Sequence, residues 1–141
     1  MTDPVMSAVE IDAFSRTCPF NAWLGIRVVA ASDVGVVIEA PWRDELVGSP
    51  DLQTMHGGVL AAIVETTAGL SLLAVLGRAG PAIDLRVDYH RPVRSGPLRG
   101  SGRVLRAGGT ITSLEAFVHD ADERLVASGR AVFLVPRTPA G

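Results

Sequence analysis

Apolar and polar positions divide the chain around one stretch. Residues 59–76 carry a single charge, Glu65, and otherwise depart from aliphatic sequence only at Thr66, Thr67, Gly69 and Ser71. A run of this length is long enough to span a bilayer. The carboxylate near its middle and the strand-like patterns on both sides predict instead a helix apolar nearly all round and buried in a protein core. Before it, residues 7–17 (Val9, Ile11, Ala13, Phe14) suit a short helix, which Cys18-Pro19-Phe20-Asn21 should end. Pro19-Phe20 with Trp23-Leu24 is expected to cover one end of the core. Residues 25–31 and 34–40 read as a hairpin about a Ser32-Asp33 turn. Residues 41–55 form a long, turn-rich connection of the kind that faces a ligand or partner.

After the helix, Gly77-Arg78-Ala79-Gly80-Pro81 is a strong stop. Ile83, Leu85, Val87 and Tyr89 then alternate with Asp84, Arg86, Asp88 and His90, which predicts a strand with one face buried and one wet. Residues 98–107, 110–119 and 123–135 read as further strands, and their short connections imply antiparallel neighbours. Residues 1–7 read as a loose terminus and 136–141 as a tail. The order predicts an α+β fold: an antiparallel sheet of about six strands wrapped around one long central helix. With no repeat or linker, residues 1–141 form a single domain whose core runs from about 19 to 135.

An ionisable group inside such a helix carries a desolvation cost, so Glu65 is a candidate for chemistry. The helix start is the second candidate. His56-Gly57-Gly58 offers no Ser, Thr, Asp or Asn as a side-chain cap. Bare glycine amides at the positive end of the helix dipole favour an anion or a polarised carbonyl oxygen. The same glycines also serve where a tight turn or close packing is all that is needed. Gly57 and Glu65 are eight residues apart, about 12 Å along one helix, too far for one carbonyl group to touch both. Two such helices packed antiparallel would bring Gly57 of one beside Glu65 of the other. The chemistry therefore implies a homodimer with two shared sites. His56 stands with Gly57, Gly58 and Glu65 among the candidate catalytic residues. It invites a reading as catalytic base, but a structural part, fixing the turn through hydrogen bonds, is the favoured one.

Composition narrows the partners. Of 141 residues 48% are hydrophobic and 20% charged, an ordinary globular balance. A net charge of −2 argues against a nucleic-acid partner. All thirteen basic residues are Arg. One cysteine, Cys18, and no apolar leader segment point to the cytoplasm, with no membrane partner. His90 and His119 show no metal-ligand spacing, and no metal is expected.

Four pieces carry a family resemblance: Pro19-Phe20…Leu24-Gly25-Ile26; His56-Gly57-Gly58 with an acid nine residues after the histidine; Asp84-Leu85…Tyr89-His90-Arg91-Pro92; and Leu125-Val126-Ala127-Ser128-Gly129-Arg130-Ala131. The sequence resembles the phenylacetate-degradation-type (PaaI-like) branch of the hotdog-fold acyl-CoA thioesterases over residues 19–135. It departs from the pattern in having Pro50 where many members carry Asn or Gln, Ala82 where some carry Ser or Thr, and Glu65 where the phenylacetate enzymes use Asp.

The resemblance implies hydrolysis of an acyl-CoA thioester to a free acid and coenzyme A. A backbone N–H of Gly57 or Gly58 would polarise the carbonyl. Glu65 of the partner subunit would act as general base or nucleophile. Coenzyme A enters as part of the substrate, and no cofactor is implied. Arg86, Arg91, Arg94, Arg99, Arg103 and Arg106 crowd one stretch. Of these, Arg91 and Arg94 are the candidates for phosphate contact. Asp51, Gln53 and Thr66 complete the candidate substrate contacts. The assembly expected is a homodimer or dimer of dimers. Two other readings keep the fold: a non-catalytic acyl-CoA or acyl-carrier binder, and a dehydratase or hydratase, which would want a histidine poised with the acid.

Overall fold

A computed structural model describes residues 2–136. Helix α1 spans Ala8–Arg16. Ser7 Oγ accepts the Glu10 N–H at 3.3 Å and Glu10 Oε2 accepts the Ser7 N–H at 2.8 Å, a reciprocal cap. Pro19 does more than end this helix. It opens a second one, α2 (Pro19–Leu24), in the first position, where a missing N–H costs nothing. Of its large apolar residues only Leu24 enters the core. Phe20 and Trp23 stay about half exposed, stacked on each other with centroids 6.3 Å apart. The Arg43 guanidinium sits 4.1 Å from the Trp23 ring centre, so this aromatic pair packs on the outside and does not cap the core. The terminus is not loose either. The Val5 N–H donates to the Ala74 carbonyl at 2.7 Å, and the Thr2 N–H and hydroxyl both donate to Asp33 Oδ2 at 2.9 Å. Of the expected tail, residues 137–141 lie outside the described residues.

The main sheet comprises β1 (Arg27–Ala31), β2 (Val36–Ala40), β5 (Ala82–Tyr89), β6 (Leu98–Ala107), β7 (Ile111–His119) and β8 (Leu125–Leu134). Its order is β1-β2-β6-β7-β8-β5, antiparallel throughout. The 41–55 connection holds a 3-10 turn, Asp44–Leu46, and a small hairpin of β3 (Val47–Ser49) and β4 (Thr54–Met55). Short connections make neighbours of β6, β7 and β8, as expected. The connection from β5 to β6 does not. Residues 90–97 reach up to about 27 Å, and crossing three strand spacings takes only about 14 Å. So β5 lies at the edge beside β8 while β6 pairs with β2.

Helix α3 (Gly57–Leu76) lies against the sheet and ends at Gly77, whose φ of 67° suits a residue without a Cβ. Leu60, Ile63, Val64, Leu72 and Leu73 are buried in one core with Leu114 and Val118 of β7 and Val126 and Phe133 of β8. The arrangement is the hotdog fold. Thr67 and Ser71, both 0% exposed, cause no loss, because Thr67 Oγ1 donates to the Ile63 carbonyl at 2.6 Å and Ser71 Oγ to the Thr67 carbonyl at 2.8 Å. Ser71 Oγ also accepts the Val36 N–H at 3.2 Å, tying helix to strand. Beneath them β6 presents Gly100 and Gly102. A Cβ on Gly102 would stand 2.5 Å from Ser71 Oγ and 2.9 Å from the Thr67 carbonyl oxygen, so glycine here lets the helix settle onto the sheet. By length and a mean hydropathy of 2.1 α3 is apolar enough to cross a membrane, but 61% of that window is buried in the protein.

One expectation fails in a useful way. The alternating apolar face of β5 is not covered: Ile83 is 53%, Leu85 38% and Tyr89 56% exposed. The alternation is real, since Leu85, Val87 and Tyr89 stand opposite Ala131, Gly129 and Ala127 of β8. Nothing among the described residues reaches far enough past the edge to cover it.

Candidate active site

The turn leading into α3 has nearly all its polar groups engaged. The His56 N–H donates to the Leu46 carbonyl at 2.8 Å, and the His56 carbonyl accepts the Val59 N–H at 3.0 Å. The Gly58 N–H donates to His56 Nδ1 at 2.8 Å, and the Gly57 carbonyl accepts the Tyr89 hydroxyl at 2.9 Å. Among the described residues the Gly57 N–H has no acceptor. The sequence suggested two bare glycine amides and no side-chain cap. The fold leaves one, because a histidine in extended conformation (φ −60°, ψ 129°) does the work usually done by Ser or Asp. Gly57, not Gly58, is therefore the amide free to polarise a ligand oxygen.

Glu65 lies two turns further along α3 and is half-buried. Loss of water pushes its carboxyl above the usual range. No side-chain partner for it is found among the described residues. Ala61, Ala62 and Gly69 are also half-buried and recur with Glu65 at helical spacing, so they share one stripe. Since Gly57 and Glu65 are separated by about 12 Å of helix, one protomer does not bring them together.

The remaining candidates divide. Gln53, at a φ of 53°, donates from Nε2 to the Pro50 carbonyl at 2.6 Å, and Arg94 Nε donates to the Leu52 carbonyl at 3.2 Å. Asp51 lies exposed in the same loop, and the Met55 N–H donates to the Val93 carbonyl at 2.8 Å. Asp51, Gln53 and Arg94 thus share one corner, a few residues ahead of His56. Arg91 is exposed, its N–H held by the Val126 carbonyl at 3.3 Å. Thr66 is 7% exposed.

The six clustered arginines are not one patch. Arg86, Arg99, Arg103 and Arg106 project from the sheet face opposite α3. There Arg103 pairs with Glu115, and Arg86 stands 3.4 Å from Asp88. Two hollows open on strands of this sheet. One of about 550 Å³ is lined by Ala30, Val37, Ser101 and Phe117, and one of about 490 Å³ by Glu39, Arg99 and His119. Neither includes Gly57 or Glu65 in its lining.

The contact of Tyr89 with the helix start was not legible, because the sequence marked Tyr89 only as an apolar place in the β5 alternation and as part of the family motif. The signal that could have singled it out is a phenol at the end of a strand that must run past the helix start.

The fold is that of the hotdog proteins, and similarity to known proteins narrows it to the thioesterase kind. The thioesterase superfamily pattern matches residues 52–127. A solved structure of a thioesterase superfamily protein is 39% identical, with a TM-score of 0.86, covering 89% of this chain and 95% of that one. The medium/long-chain acyl-CoA thioesterase YigI of Salmonella typhimurium is 29% identical over 140 residues, covering 88% of this chain and 90% of that protein. Acyl-coenzyme A thioesterase 13 of Pongo abelii is 29% identical over 136 residues, covering 92% and 95%. The chain belongs to the thioesterase superfamily.

Proposed function

We propose that this chain is an acyl-CoA thioesterase of the phenylacetate-degradation type, acting as a homodimer that pairs into a dimer of dimers. In each shared site the Gly57 N–H of one protomer receives the developing oxyanion of the thioester. Glu65 of the partner subunit attacks the carbonyl or takes a proton from the attacking water. The observation that carries this reading is the pairing of one amide at the helix mouth with one half-buried carboxyl, the amide without an acceptor and the carboxyl without a side-chain partner among the described residues. A donor fixed in place before reaction needs no reorganisation when charge develops on the oxygen, which is why such donors matter.

The dimer is supported by what the protomer leaves open. Edge strand β5 carries uncovered Ile83, Leu85 and Tyr89 on the side where α3 lies. The stripe of Ala61, Ala62 and Gly69 around Glu65 offers small side chains over which a second helix can approach closely. Arg91 and Arg94, with the loop of Asp51 and Gln53, are the groups proposed to meet the coenzyme A moiety, and Thr66 the acyl side. A cytoplasmic setting suits the free, exposed Cys18.

The test is release of free thiol from a panel of acyl-CoA substrates, with Glu65→Gln alongside. Activity lost in the variant supports hydrolysis. Tight acyl-CoA binding without turnover in either protein would favour a non-catalytic binder. Shared sites are tested by mixing Glu65→Gln with Gly57→Pro, each inactive alone. Random reassociation makes about half the dimers mixed, with one whole site each, so about a quarter of wild-type activity should return. No recovery on mixing would mean each site is built within one protomer.

A further inference from the structure

We infer that Tyr89 is a positioning residue that aims the Gly57 N–H, an inference that rests on the role proposed above for that amide. The peptide joining Gly57 to Gly58 is held at both ends. Its carbonyl accepts the Tyr89 hydroxyl at 2.9 Å, and its N–H donates to His56 Nδ1 at 2.8 Å. Among the described residues the preceding peptide is held only at its carbonyl, by the Val59 N–H at 3.0 Å. Because each peptide is planar, the direction of the Gly57 N–H follows from the two torsions of Gly57 between these planes. Glycine has no side chain to restrict those torsions. The helix's own hydrogen bonding supplies part of the restraint, and Tyr89 and His56 add to it from outside the ladder.

Two further observations separate this role from ordinary packing. The Gly57 carbonyl already faces the amide four residues on in the helix, so the phenol is not rescuing an orphaned acceptor. And Tyr89 is 56% exposed, so its ring is not there chiefly to fill the protomer's core. Its Cε1, Cζ and Oη atoms instead lie 3.4 Å from where a Gly57 Cβ would stand, bordering the very residue whose amide is unclaimed. The tyrosine is brought there by edge strand β5, so the clamp fastens the helix start to the sheet across 32 positions of sequence. An oxyanion donor works only within a narrow range of distance, and small displacements are costly to rate.

The test is Tyr89→Phe, which keeps the ring and removes the clamp, assayed by thiol release from acyl-CoA beside wild type and Glu65→Gln. The expected result is a fall in kcat of about three- to tenfold, the range one hydrogen bond commands. KM and melting temperature should stay near wild type. A second measurement is independent of turnover: amide exchange at Gly58 should speed up in Tyr89→Phe, because loosening the peptide weakens the His56 cap. Glu65→Gln inactive while Tyr89→Phe keeps full kcat and unchanged Gly58 exchange overturns the Tyr89 inference alone. A loss confined to KM or to melting temperature overturns it too. A wild-type chain that releases no thiol overturns the site reading and this inference together.

Discussion

His56 Nδ1 stands 2.8 Å from the Gly58 nitrogen, so the histidine caps the helix that follows it. A cap of this kind is worth about 1 kcal/mol. His56→Ala should lower the melting temperature by roughly 3 °C for a chain of this size. His56→Asn, whose side chain can also accept at a cap, should recover most of that stability and much of the thiol-release activity. A histidine acting as proton acceptor would not be replaced by an amide. Loss of all activity in His56→Asn would therefore assign it a chemical part.

Gly57 occupies the first position of α3, where proline is compatible with a helix and differs chiefly in lacking the N–H. The preceding His56 is already extended, as the residue before a proline must be. A Cβ at 57 meets the Tyr89 ring at ordinary contact distance. Gly57→Pro should thus fold with an unchanged far-ultraviolet dichroism spectrum while kcat falls by about 10²–10³-fold, the loss seen when one oxyanion donor is removed. Full activity in a folded Gly57→Pro protein would rule out this amide as the donor.

These two residues also mark what the sequence discloses and what it hides. The central helix, its Gly77 stop and the six strands of the main sheet follow from periodicity and punctuation, which are local, and the hotdog class from the motifs that carry the family resemblance. The identity of the free amide does not. It depends on a histidine turning back on its own helix and on a tyrosine brought in from a distant strand. The strand order was hidden for a similar reason: the 90–97 connection is long enough to reach either edge, and only packing decides which. The alternation of Ile83, Leu85 and Tyr89 correctly marked an apolar face but not what covers it. Periodicity reports a need for burial and is silent on whether the same chain or another meets it.

Gly102 and Ser71 meet where α3 crosses β6, and the space between them is full. A methyl group at 102 would come within 2.9 Å of the Thr67 carbonyl oxygen, a backbone atom that cannot rotate away. Gly102→Ala should destabilise by about 1–3 kcal/mol, as overpacking does. It should also disturb the register of the helix that carries Glu65. Denaturant unfolding measures the first effect and thiol release on the folded fraction the second. A stability equal to wild type would mean that α3 lies further from β6 than described.

The last prediction concerns Glu65 and pH. Burial raises its carboxyl above the usual range, and as base or nucleophile it works as the carboxylate. Thiol-release kcat/KM should therefore fall with decreasing pH along a limb set above the ordinary range for a glutamate. The same shift has a consequence for stability. A carboxyl whose pKa is higher folded than unfolded favours the native state while it is protonated, below its unfolded value. That contribution is lost as pH rises through the folded value. Glu65→Gln is neutral throughout, so it should melt higher than wild type near neutrality, and the gap should close as pH falls toward about 4. Melting curves of both proteins across that span measure the gap directly. A gap that does not change with pH would mean that folding leaves the Glu65 pKa where it stands in the unfolded chain.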